Sequence, residues 1–357
     1  MNSELRILIL TPTALPTITG NAITAERWRG SLSKKGLVVK VLATQNVGTE
    51  DLAEQIRQFR PDLIHAHHAF RTGTLLLDPL TASECRHVPL VVSPSGTDIN
   101  LDMGADSRRE SIVTVCRTAR VIVALGPEME QRLRSFLPDL VDRIVHVPKA
   151  YSWIGQDDYD LRGAVGFQPG DFIFFLPAGV RPVKGNLECL APMERVYSAR
   201  PRSRIVFAGP ELDPDYADRF QKQLKRLSAF ARWVPSIPPQ AMRSAYESAD
   251  VVLNTSFSEG LSNVLIEAIA VGRPVLASNV PGNRWPVLGK KGDPPAGYLF
   301  NPHDPEDFVR HALNLIDGAE IREDFRRAAQ WRAAKWPGPE AEAEGLVDAY
   351  KVALGIL

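Results

Sequence analysis

Ser258-Glu259-Gly260-Leu261-Ser262-Asn263-Val264-Leu265-Ile266-Glu267 sets two carboxylates eight positions apart, with a glycine directly after the first. The apolar run that begins at Val264 continues through Ala268, Ile269 and Ala270. The strand-like run Asp250–Asn254 precedes it, and Gly272 and a second strand-like run, Pro274–Ser278, follow. The order is strand, tight loop, helix, glycine stop, strand, which is one unit of a parallel sheet. The loop leaves the carboxyl end of a strand and feeds a helix N-terminus. Unpaired backbone N–H groups and the helix dipole favour an anion there. Glu259 lies in the loop and Glu267 about two turns into the helix, so the two would meet different parts of one extended ligand.

The same alternation runs through the chain. Apolar runs at Arg6–Leu10, Val38–Leu42, Leu63–His65, Leu90–Val92, Val121–Ala124 and Ile144–Val147 read as buried strands. Ala22–Lys35 and Asp51–Phe59 read as helices, the first with an apolar stripe of Ala25, Trp28 and Leu32 and a stop at Gly36. Between Pro148 and Gly170 the period is lost, and this stretch reads as a linker. The pattern restarts with strand Phe172–Leu176, helix Leu187–Ala199, strand Arg204–Ala208 and helix Pro214–Phe230. The expected organisation is α/β, with two doubly wound Rossmann-like domains, one over 1–150 and one over 171–336. A ligand cleft between them is expected, and a helical tail over about 338–357 is expected to return to the first domain.

Composition narrows the function classes. With 357 residues and 44% apolar side chains, the chain can bury two cores. Lys plus Arg and Asp plus Glu number 42 each, so nucleic acid is not an expected partner. No basic, apolar leader follows Met1, and no apolar run reaches the length of a bilayer span, so no secretory signal and no transmembrane segment are expected. Cys85, Cys116 and Cys189 are few, odd in number and far apart. They are expected as small buried residues in a reducing cytoplasm.

The paired-glutamate segment resembles the motif of retaining glycosyltransferase family 4, whose fold is GT-B. Four further segments support the resemblance: Thr19–Trp28 (TGNAITAERW), Ser95–Asn100 (SGTDIN), Gly179–Gly185 (GVRPVKG) and Val275–Asn283 (VLASNVPGN). They occur in the family's order. Within the family the pattern is closest to the glycosyltransferase 1 domain-containing proteins. The bacterial selenosugar synthases share the Thr19–Trp28 and Pro281–Asn283 features. The resemblance implies a nucleotide diphospho-sugar as substrate, a UDP-sugar favoured, with no cofactor and no metal. It implies a hexosyltransferase with a small-molecule or glycan acceptor. Glu267 would bind the ribose hydroxyls and Glu259 the transferred sugar; ionised carboxylates are strong acceptors for vicinal hydroxyls.

The remaining candidates follow from chemistry and from that resemblance together. Arg181 and Lys184, between two glycines after a strand, suit a diphosphate: Arg chelates and Lys supplies a point charge. The family usually sets its Arg further ahead of its Lys. Gly260, Leu261, Ser262 and Asn263 would offer amides to the same phosphates. Gly20 and Asn21 open a helix after the first strand, either beside the donor or with Asn21 as a plain N-cap. Thr24 and Arg27 could reach the same cleft. Thr97 and Asp98 would hold sugar or acceptor, with a helix cap as the other reading of Asp98. Ser95 stands where many members carry a His or Arg. His67 and His68 are candidates for the acceptor; zinc at His65 and His67 lacks further ligands of suitable spacing. Gly282 is expected to allow unusual dihedrals near the donor, and Trp233–Ser236 lies where the family holds the nucleobase. Asp213-Pro-Asp215 reads as a turn and N-cap rather than a metal motif. Besides the transferase, three readings fit the sequence: a selenosugar or thiosugar synthase joining UDP-N-acetylglucosamine to selenophosphate or a sulfur analogue, a nucleotide-sugar epimerase, and a non-catalytic binding protein.

Overall fold

Strand residues of alternating parity are apolar on both sides, which requires helices on both faces of each sheet. In the computed structural model, which describes residues 4–357, the first six strands are β1 (Arg6–Thr11), β2 (Val38–Ala43), β3 (Leu63–His67), β4 (Leu90–Ser93), β5 (Val121–Ala124) and β6 (Ile144–His146). Met1–Ser3, on which the expectation of no leader partly rests, lie outside the described residues. The six strands form one parallel sheet in the order β2-β1-β3-β4-β5-β6. Leu8 and Leu10 of β1 pack on one face with Leu52, Ile56 and Val115. Ile7 and Ile9 pack on the other with Ala25, Trp28, Leu32 and Tyr350. The expected stripe of Ala25, Trp28 and Leu32 is thus observed, on a helix over Gly20–Lys34.

The second sheet is built from β7 (Phe172–Pro177), β8 (Ser203–Ala208), β9 (Ala231–Val234), β10 (Val251–Asn254), β11 (Val275–Ser278) and β12 (Gly297–Phe300). Its order is β12-β11-β10-β7-β8-β9, again all parallel. Counted from β7, this is the 3-2-1-4-5-6 order whose direction reverses between β7 and β10. At such a reversal the loops leaving the carboxyl ends of the two strands are where open α/β sheets place a ligand. Two strands were not legible beforehand. β9 follows a helix that ends at Arg226 rather than Phe230, and β12 is a short edge strand that begins with glycine.

The chain divides into two units, residues 1–152 with 337–357, and residues 153–336. The stretch expected as a linker contributes to the second unit: it carries a short helix, Leu161–Val165, and buries Leu161 and Phe167 in that unit's core beside Phe175 and Val206. The last helix, Pro339–Leu354, packs on the first unit through Leu346, Ala349 and Tyr350. It is tied there by a buried fork, Arg27 Nε and Nη2 to the two oxygens of Glu342 at 2.6 and 2.9 Å. Among the described residues no helix is long and apolar enough to cross a membrane.

Candidate functional site

In the second unit the site grows from two loops at the β7/β10 reversal. After β7, Pro182–Lys184 make a single tight turn that stops at Gly185, whose φ is +66°. A Cβ at Gly185 would lie 2.5 Å from the Thr255 carbonyl oxygen, so only glycine lets the two loops touch. They are then stitched together. The Phe257 N–H donates to the Val183 carbonyl at 2.9 Å, and the Thr255 hydroxyl donates to the Lys184 carbonyl at 2.8 Å.

The stitching delivers Lys184 to Glu259. Lys184 Nζ donates to Glu259 Oε1 at 2.6 Å, with 19% and 12% of the two side chains exposed. The same oxygen accepts from Ser256 Oγ at 2.7 Å and Asn254 Nδ2 at 3.2 Å. Burial alone would raise the Glu259 carboxyl, but the Lys184 charge and the donors from Lys184, Ser256 and Asn254 outweigh it. The group is held below its ordinary value and is ionised.

Beneath this pair lies a buried polar frame. Asn254 Nδ2 also donates to Ser262 Oγ at 2.8 Å, and Asn254 Oδ1 accepts from the Ser256 N–H and from Asn283 Nδ2. Asn283 Nδ2 further reaches the Ser278 carbonyl at 3.0 Å. Ser262 is the N-cap of the helix Asn263–Ala270, accepting from the Leu265 N–H. Gly260 and Leu261 link Glu259 to that cap, so the first amides of the helix follow the charged pair directly.

Gly282 differs from expectation. Its φ is not in the left-handed region; glycine is needed because a Cβ would meet the Glu259 carbonyl oxygen at 2.5 Å. It allows close approach of two backbones rather than an unusual dihedral. Arg181 stands at the N-terminal side of the Pro182–Lys184 turn, its N–H on Asn186 Oδ1 at 3.4 Å. Glu267, on the inner half of its helix, accepts from the Tyr246 hydroxyl at 2.7 Å. Trp233, in the stretch expected near a nucleobase, donates its indole N–H to the Gly209 carbonyl. Asp213 caps the helix Pro214–Arg226 by accepting from the Tyr216 N–H, which makes Asp213-Pro-Asp215 a cap as expected.

In the first unit the sheet order reverses between β1 and β3, and the other candidates gather at those strands' ends. Thr19, not Asn21, caps the helix Gly20–Lys34, accepting from the Ala22 N–H at 3.2 Å. Gly20 and Asn21 are the first two helical residues. Thr24 is fully buried, with its hydroxyl bonded to the Gly20 carbonyl at 2.8 Å, and Arg27 is committed to Glu342.

His68 has a φ of +96°, a conformation that costs a non-glycine residue about 1 kcal/mol or more. Its Nδ1 accepts from the Arg71 N–H at 3.1 Å, which puts the ring proton on Nε2, 3.0 Å from Thr97 Oγ1. Asp98 is fully buried. Oδ2 accepts from Ala69 and Ser95 and Oδ1 from Ile99, completing a capping box with Ser95 as the N-cap. Burial pushes Asp98 up to about 7 despite these bonds. His65 lies between Tyr350 Oη (2.8 Å) and Ser93 Oγ (2.6 Å), under the Trp28 ring at 4.9 Å, and burial lowers it to about 3. His67, edge-on to Trp28, is held well below its usual value by burial and then by Lys149. Among the described residues no group of three or more His, Cys, Asp or Glu is placed to hold a metal. Cys116 and Cys189 are buried and Cys85 half-buried, all three as free thiols.

Asn254, Ser256 and Tyr246 were not anticipated; Asn283 stands in an anticipated segment, but its bonds to Asn254 and Ser278 were not foreseen. A faint signal existed for Asn254, a polar residue closing an otherwise apolar strand.

Residues 158–332 match the family model described as glycosyl transferases group 1. Glycosyltransferase 1 domain-containing protein 1 of Xenopus tropicalis is 24% identical over 313 residues, covering 85% of this chain and 86% of that protein. Sucrose-phosphate synthase of Thermosynechococcus elongatus superposes with a TM-score of 0.82 at 15% identity, over 99% of this chain and all of that one. HepE of Anabaena, solved in complex with UDP and glucose, gives 0.75 at 16% identity, over 98% of this chain and all of that one. The fold is that of the GT-B glycosyltransferases, and the family match in the second unit indicates a glycosyltransferase.

Proposed function

We propose that this chain is a metal-independent, retaining glycosyltransferase of family 4 that moves a hexose from a nucleotide diphospho-sugar, a UDP-sugar first among them, to a small-molecule or glycan acceptor. The observation that carries the reading is the 2.6 Å contact of Lys184 with Glu259, set between two loops at a topological switch point and beside a helix N-terminus. A fixed cation, a fixed carboxylate and a helix N-terminus are what a diphosphate joined to a polyhydroxylated ring requires.

In the proposed reaction the bond from the anomeric carbon to the phosphate oxygen breaks and a bond to the acceptor oxygen forms on the same face. The acceptor's proton passes to the departing phosphate. Negative charge grows on that phosphate as it leaves, and Lys184, Arg181 and the amides of Gly260–Asn263 stabilise it without a metal. Glu259 faces the transferred sugar and Glu267 the ribose. Gly20, Asn21 and Gly282 belong to the donor side of this proposal, and Thr97, Asp98, His67 and His68 to its sugar and acceptor side. The free thiols support a cytoplasmic location.

The shared Gly-Asn and Pro-Gly-Asn features do not favour a selenosugar synthase over this reading. Thr24, Arg27 and Asn283 have internal bonding roles that any acceptor would leave in place. The test is a thermal-shift panel of UDP, GDP, ADP and their common sugars, with and without magnesium. A nucleotide at a hundred times its dissociation constant adds about 2.7 kcal/mol of stability. A shift from one nucleotide without magnesium is expected; no shift from any of them overturns the reading.

A further inference from the structure

Tyr246 lies on a short helix, Met242–Glu247, and is completely buried. Phe175 meets its ring edge-on at 5.5 Å and Trp153 at 6.0 Å. A phenol sealed among apolar side chains must find a partner for its O–H. The partner is not a nearby carbonyl. The hydroxyl crosses to the helix Asn263–Ala270 and donates to Glu267 Oε2 at 2.7 Å. Burial first, and then the Glu267 charge, push this phenol well above its ordinary value, so it remains a donor.

A glutamate on a helix face turns about several bonds, and each rotamer aims its oxygens differently. Two vicinal hydroxyls need a carboxylate whose plane is fixed, since both must find lone pairs at once. A donor on a rigid, buried ring supplies that constraint. We infer that Tyr246 is a positioning residue, which locks the Glu267 carboxylate in the orientation that receives the ribose diol of the nucleotide. The inference rests on the assignment of Glu267 to the ribose under the proposed function.

The test compares UDP with 2′,3′-dideoxy-UDP, binding each to the full chain by calorimetry. The unmodified protein should prefer UDP. Tyr246→Phe keeps the ring and removes only the donor. It should lower that preference about tenfold, the order expected for a hydrogen bond to a charged group, while dideoxy-UDP binding changes by less than about twofold. Glu267→Gln should collapse the same ratio, and the double variant should add nothing further. If Tyr246→Phe keeps the preference while Glu267→Gln loses it, or if it weakens both nucleotides equally, Tyr246 is only a core residue and the inference falls. If the unmodified chain binds UDP without preferring it over the dideoxy form, the ribose assignment of Glu267 itself falls, and if it binds neither, the proposed function falls.

Discussion

The two sheets end in polar clusters of opposite character. At the β7/β10 reversal the second unit keeps a full ion pair, Lys184 with Glu259, at a partly open surface, with neutral amides and hydroxyls below as support. At the β1/β3 reversal the first unit holds His65, His67, His68 and Asp98 almost wholly out of water. There the low dielectric drives each titratable group whose shift is known toward its neutral form. One switch-point geometry can therefore present charge or store buried polarity. What decides is whether each group's partners carry an opposite charge.

The comparison breaks most sharply at Lys184. Lys184→Ala should reduce donor turnover by about a hundredfold or more, the scale of losing one fixed charge from a developing anion. The melting temperature should also fall, because Glu259 is mostly buried and loses its cation while keeping the Ser256 and Asn254 donors. Turnover measured as nucleotide release decides it; activity within a few fold of the parent would mean that the pair is an ordinary surface contact.

The next effect is on stability and belongs to the first unit. Arg27→Ala strands the buried Glu342 carboxylate and should cost about 3–5 kcal/mol in urea unfolding. Nucleotide affinity of the protein that remains folded should be unchanged. A cost under about 1 kcal/mol would show that water relieves the fork.

The smallest effect is the pH dependence. His65, at about 3 in the folded chain, and His67, also lowered, take up protons on unfolding. They make stability fall as the pH drops below about 6.5, by up to about 1.4 kcal/mol per pH unit for each group. Asp98, raised to about 7, acts in the opposite sense: its folded form holds the proton more tightly, so its contribution falls as the pH rises from about 4 toward 7. Asp98→Asn should therefore steepen the rise of stability between pH 5 and 6.5. Glu259→Gln should not alter it, since Glu259 is lowered and its contribution is lost only in more acidic solution. Equal slopes for the parent and Asp98→Asn would remove the contrast between the clusters.

The sheets, their parallel sense and the Lys184–Glu259 loops were legible because apolar runs and turn residues act locally. Partnership was not legible. Thr24 and Arg27 sit in the first turns of a helix that reads as reaching a ligand cleft, yet their bonds go to Gly20 and Glu342. Glu342 lies 315 positions away, and no local pattern records it. Gly282 was recognised as special for the wrong reason, because close approach of backbones leaves the same mark on a sequence as a left-handed turn. β12 escaped notice because four edge residues beginning with glycine carry little strand signal.

The first unit is discontinuous in the chain: Trp28, His65 and Arg27 are made early, while Tyr350 and Glu342 come from the last helix. During synthesis the amino-terminal half therefore leaves the ribosome with an unneutralised arginine and an uncovered sheet face. It stays in that state while the whole second unit is translated. At about 5–20 residues per second this interval is on the order of ten seconds or more. A nascent chain of this architecture exposes a sticky surface longer than a mature one ever does, and its yield in the cell depends on what shields that surface in the meantime.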